Sequence, residues 1–192
     1  ARAEHLGENE RRDACEKMLY GAEKAPDIPD QMLWKTAGIY QSLKSICAEE
    51  NLAGINVKCQ YEFSKEYGAV PCVALSALAD EGLVAGCEGD IPCTVSELIL
   101  SKIQTDTVTY GDVINHSGNI VKISSCGMLP FSMGMGERRV TNFMPHDGFS
   151  GIQAGFVMRP ERVTALRLVE EVGQYRLLCF TGKGQRTALR QG

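Results

Sequence analysis

Residues 71–90 read PCVALSALADEGLVAGCEGD, and this stretch decides the fold. The run 71–80 is apolar, rich in small residues and opened by Pro71, a good first-turn residue, so it predicts a helix that Gly82 stops. The run 83–87, LVAGC, is short and apolar between turn signals, as in a strand buried on both faces. It ends in Glu88-Gly89-Asp90, and a second helix is expected beyond. There Thr94-Val95-Ser96-Glu97 matches a capping box, with Leu98, Ile99 and Ile103 as the apolar face. Helix, strand and helix in this order predict α/β layering.

The upstream sequence extends that layer. The first 27 residues are highly charged and open with a helix, which the prolines at 26 and 29 separate from the next element. Asp30 is the expected N-cap of a long helix to about residue 50. Leu33, Ala37, Tyr40, Ile46 and Cys47, with Trp34 and Leu43, recur at helical steps and give it one buried stripe. Residues 51–54 end it, and 55–59 (INVKC) predict a strand. Downstream the pattern changes to alternation, with strands expected at 107–110, 120–123, 155–158, 163–169 and 175–181. Turn signals at 116–119, 159–161 and 171–173 separate them. Residues 128–150 read as a long loop bearing Gly and Met. The expected fold is therefore α/β followed by all-β. Residues 1–104 form a partial Rossmann-like α/β domain, and residues 105–192 an antiparallel, barrel-like β unit.

Composition narrows the function. Of 192 residues, 44% are hydrophobic and 23% charged, which excludes disorder and coiled coil as the main description. A net charge of −4 argues against a general nucleic-acid binder, which needs surplus Lys and Arg. The longest apolar run, 70–78, falls far short of a membrane span, and no basic segment followed by an apolar one opens the chain. The eight cysteines are scattered with no CxxC, so a zinc ribbon is not predicted. They read as reduced thiols in the core of a cytoplasmic protein. A cysteine-based redox protein is disfavoured for want of a closely spaced pair.

Candidate chemistry rests on a few residues. Glu88 lies beyond the carboxyl end of a strand, where open α/β sheets bind ligands. A carboxylate there can accept hydrogen bonds, bind a metal or move a proton, or it can face solvent while Asp90 caps the helix. Asp112, in Tyr110-Gly111-Asp112, is a second acid at a strand end or a turn residue. His116 and His146 both sit among turn residues. The glycines at 134 and 136, and at 182 and 184, lack the context of a phosphate cradle.

Three segments in sequence order resemble the L-fucose isomerase and fucose/arabinose isomerase-like family. They are ADEG (79–82) through CEGD (87–90), then TYGD (109–112), and GFS (148–150) through RVTALRL (162–168). The resemblance covers roughly residues 31–184 and is to the carboxyl-terminal portion of those enzymes. It implies a metal-dependent aldose–ketose isomerase working through an enediol, with Glu88 and Asp112 as metal ligands and as acid and base. It also implies Mn2+ or another divalent cation, a monosaccharide substrate and a homo-oligomer. The family takes a histidine as third ligand from further downstream. Here no histidine follows His146, which is the candidate substitute, and Ser125 stands where some relatives place a histidine before Cys-Gly. The family's amino-terminal α/β domain has no counterpart in the 192 residues. The alternative is a non-catalytic sugar-binding or regulatory module of the same fold.

Overall fold

The computed structural model describes residues 2–59, 61–104, 106–144 and 147–189. Helix α1 (Glu8–Leu19) leads to a short strand β1 (Glu23–Lys24) and then to α2 (Asp30–Glu49). Strand β2 (Gly54–Val57), a π-helical turn (Glu62–Tyr67), α3 (Cys72–Asp80), β3 (Val84–Cys87) and α4 (Ile91–Ile103) follow. Two hairpins, β4 (Asp112–Ser117) with β5 (Ile120–Ser124) and β8 (Arg162–Glu171) with β9 (Gln174–Lys183), enclose β6 (Arg139–Asn142) and β7 (Ile152–Ala154) in sequence.

Strands β2 and β3 pair in parallel, Val57 opposite Cys87. The crossover between them runs through α3, which is apolar on every side, and its residues from Cys72 to Ala79 are all buried. Around α3 lie Tyr40 of α2, Met18 of α1, Met128, Phe131 and Ile152, so one core draws on both halves of the chain. A second sheet orders β1-β6-β7, with β1 parallel and β7 antiparallel to β6. The hairpins lie outside this core. Helix α4 holds β8 where Leu168 N donates to Ser96 Oγ at 2.7 Å and Arg167 pairs with Asp90 at 2.7 Å.

Several local expectations need correction. The capping box at Thr94 is not formed. Helix α4 starts at Ile91 because Asp90 accepts from Cys93 N at 2.9 Å and Pro92 tolerates the first turn, where an N–H has no partner. Thr94 instead donates to Asp90 O, and Glu97 is buried. Pro29, not Asp30, caps α2, and Asp30 binds Lys24 at 2.7 Å. The strand expected at 55–59 runs Gly54–Val57. Residues 107–110 form no strand, since pairing begins at Asp112 opposite Ser124. The segment expected as a loop at 128–150 contains a 3-10 turn (Phe131–Met133) and β6. Both are short, and β6 is held by strands distant in sequence. The strand expected at 155–158 lies earlier, as β7. His116 belongs to β4 opposite Val121 rather than to a turn; the turn follows at Gly118.

Candidate active site

The site begins with a sharp reversal after β3. Glu88 and Gly89 both adopt left-handed backbone, φ 62° and 76°, which turns the chain so that Asp90 can cap α4. Asn56 of β2 clamps this turn. Its amide nitrogen lies 3.3 Å from the carbonyl oxygens of Cys87 and Asp90 and 2.6 Å from Thr94 Oγ1. Gly86 makes the approach possible, because a Cβ there would fall on the Thr94 hydroxyl and within 2.7 Å of the Asn56 amide.

Asp112, the first residue of β4, reaches the same place through Tyr110. The buried Tyr110 hydroxyl lies 2.6 Å from Asp112 Oδ1 and 3.0 Å from Glu88 Oε2. The two acids named from sequence are thus brought together by a residue that sequence reasoning passed over. Its only signal was its place in the Tyr-Gly-Asp motif. One phenol proton cannot serve two carboxylates. Donated to Asp112, it leaves the phenol oxygen free to accept from a protonated Glu88. Burial first, and then the neighbouring Cys126 with a smaller push from Asp112, raise the Glu88 carboxyl to about 7, while donation from Tyr110 to the ionised carboxylate opposes the shift. The Tyr110 hydroxyl is pushed well above its ordinary value, first by burial and then by the two carboxylates.

Among the described residues neither Glu88 nor Asp112 has a lysine or arginine partner. Once Glu88 has lost its proton, two carboxylates without a cationic side-chain partner suit a hard divalent cation as part of its shell. They do not complete a site, since no group of three or more His, Cys, Asp or Glu suited to a metal occurs among the described residues. His146, the candidate third ligand, lies outside the described residues. Behind Glu88 stand four cysteines, Cys59, Cys72, Cys87 and Cys126. The sulfurs of Cys59 and Cys87 are 3.9 Å apart, and Cys126 interacts with Glu88. Two surface clefts, one beside Trp34 and Tyr67 and one beside Lys24 and Arg139, do not include Glu88, Tyr110 or Asp112.

A carboxylate pair sharing one hydroxyl has the groups needed to accept and donate a proton. No family model matches the chain. It is similar to the sulfoquinovose isomerase of Alkalicoccus urumqiensis, 30% identical over 160 residues, which cover 80% of this chain and 35% of that protein. The sulfoquinovose isomerases of Priestia aryabhattai and Priestia megaterium are each 28% identical over 182 residues, covering 93% of this chain and 39% of theirs. The chain thus spans about two fifths or less of the length of the curated relatives it matches. The similarity is to sugar isomerases, and these relatives are named for sulfoquinovose rather than for L-fucose. Among the described residues no helix is long and apolar enough to cross a membrane.

Proposed function

We propose that this chain carries the acid pair of an aldose–ketose isomerase. The observation behind the reading is the convergence of Glu88 and Asp112 on the Tyr110 hydroxyl, in a chain similar to sugar isomerases. Isomerisation moves one proton between adjacent carbons. A carboxylate removes the C2 proton of the open-chain aldose, the electron pair forms a C1=C2 bond, and O1 takes up a proton to give the enediol. A proton then returns to C1 while O2 loses its own, leaving the ketose. Glu88 and Asp112 supply an acceptor and a donor on one side of such a substrate. Tyr110 holds them in register and shares a proton with them. A hard divalent cation, Mn2+ among them, held by Glu88 and Asp112 supplies charge stabilisation for the sugar oxygens when bound.

The substrate class is a monosaccharide, and the relatives' name makes sulfoquinovose the first sugar to test, ahead of fucose and arabinose. The reading includes an L-fucose isomerase-type architecture, in which the exposed hairpins belong to a barrel-like β unit, and a cytoplasmic homo-oligomer. Calorimetry with Mn2+ and turnover of these aldoses by the intact protein test it. Glu88→Gln and Asp112→Asn are expected to lower cation affinity at least tenfold and to abolish turnover with the circular dichroism spectrum unchanged. Unaltered affinity and turnover in both variants would refute it.

A further inference from the structure

The four cysteines behind Glu88 come from four separate places: the segment after β2, the start of α3, the end of β3 and the segment after β5. Cys59 and Cys87 approach to 3.9 Å between sulfurs. Cys72 and Cys126 lie near enough to this pair to perturb its ionisation, Cys72 beside Cys59 and Cys126 beside Cys87. Cys59, Cys72 and Cys87 are fully buried, whereas Cys126 is partly exposed and touches Glu88. Apolar packing alone does not ask for four thiols in one place. The 3.9 Å approach of Cys59 and Cys87 brings two reduced sulfurs into range of sulfur–sulfur bonding.

We propose that this cluster is an oxidative modification site, in which a hydroperoxide converts Cys59 and Cys87 into a disulfide with Cys126 as the entrance. The atoms balance in three steps. Cys126 sulfur attacks the peroxide O–O bond, becoming a sulfenic acid and releasing water. Cys87 sulfur then displaces the hydroxyl as a second water, giving a Cys87–Cys126 disulfide. Cys59 sulfur attacks Cys87, and Cys126 leaves as a thiol. Overall two thiols lose two electrons and two protons, and one hydrogen peroxide becomes two waters.

The product has a consequence for the site. Closing 3.9 Å to a bond of about 2 Å moves the Cys59 and Cys87 side chains toward each other and fixes the adjoining ends of β2 and β3 in one geometry. Cys87 directly precedes Glu88, whose left-handed backbone has little freedom to absorb the shift. Oxidation is therefore expected to change how Glu88 meets Tyr110. This regulatory consequence rests on the proposed isomerase reading, whereas the disulfide itself does not.

The test is peroxide treatment of the intact native protein, followed by intact mass and non-reducing peptide mapping. The expected result is loss of two hydrogens and a Cys59–Cys87 cross-link that dithiothreitol reverses. Cys59→Ser and Cys59→Ala should both lack the link, and Cys126→Ser should form it roughly tenfold more slowly. Failure to link Cys59 to Cys87 under conditions that fully modify exposed Cys179 overturns the proposal, and an unchanged rate in Cys126→Ser overturns the entrance role. Sugar turnover is then compared before and after oxidation. Loss that is reversed by reductant and grows in step with the Cys59–Cys87 link supports the coupling to Glu88; a linked protein with undiminished turnover overturns it. A reduced protein that turns over no aldose refutes the isomerase reading while the cross-link still stands.

Discussion

Glu97→Gln is the substitution whose effect the structure makes most calculable. Glu97 sits in α4 only 4% exposed, and its Oε2 has no hydrogen-bond partner. Burial first, and then the nearby Asp90 carboxylate, raise its proton affinity to about 7, against an ordinary 4.5. Arg167 does not neutralise it, being engaged with Asp90 at 2.7 Å. Below pH 4.5 Glu97 is protonated in folded and unfolded chain alike. Between 4.5 and 7 the folded chain keeps a proton that the unfolded chain has released, so stability falls as pH rises. At about 1.4 kcal/mol for each pH unit of separation, the loss is about 3 kcal/mol by pH 8. Glutamine has the same shape and no charge to bury. Urea unfolding followed by circular dichroism, at pH values from about 4 to 8, should therefore show near-equal stability of the two proteins at about pH 4. By pH 8 the variant should lead by about 3 kcal/mol. A difference that stays constant over that range would refute the reasoning, because the other titrating groups are common to both proteins.

Removal of the Tyr110 hydroxyl leaves Glu88 and Asp112 without their shared partner. Tyr110→Phe should therefore reduce sugar turnover at least tenfold, with a denaturation midpoint close to wild type, and full turnover would remove Tyr110 from the site. Gly86→Ala should destabilise by about 1–3 kcal/mol in urea unfolding, because the methyl group lands on Thr94 and Asn56, both of which hold the Glu88 turn. A neutral result there would mean that α4 can move away from β3 without loss.

Much of the fold was legible because it is local. Leu33, Ala37 and Tyr40 mark the buried face of α2 by spacing alone. The paired runs around Gly173 became a hairpin with its turn at that glycine, whereas at Gly118 only the second strand was legible and its partner is 112–117 rather than 107–110. Non-local structure was not legible. Strand β1 is two residues long and finds β6 more than a hundred positions away, a pairing that periodicity cannot carry. The capping box misled because Thr94 and Glu97 have the right spacing, yet Asp90 is already a cap and Pro92 fits the turn that follows it. At the site, strand-end position made Glu88 and Asp112 candidates only, and the resemblance to the isomerase family paired them. Tyr110 could not be named, because its buried side chain becomes informative only once the acids are seen to share it. The cysteines looked scattered because they are so in sequence; the parallel register of β2 and β3 sets the ends bearing Cys59 and Cys87 side by side.

The left-handed backbone of Glu88 has a further consequence, for protein engineering. A side chain with a Cβ is disfavoured there by roughly 1–2 kcal/mol relative to glycine. The carboxylate is therefore held at the fold's expense, and Glu88→Gly should yield a more robust protein without the acid. A stabilisation campaign guided by melting temperature alone would favour that exchange and discard the carboxylate.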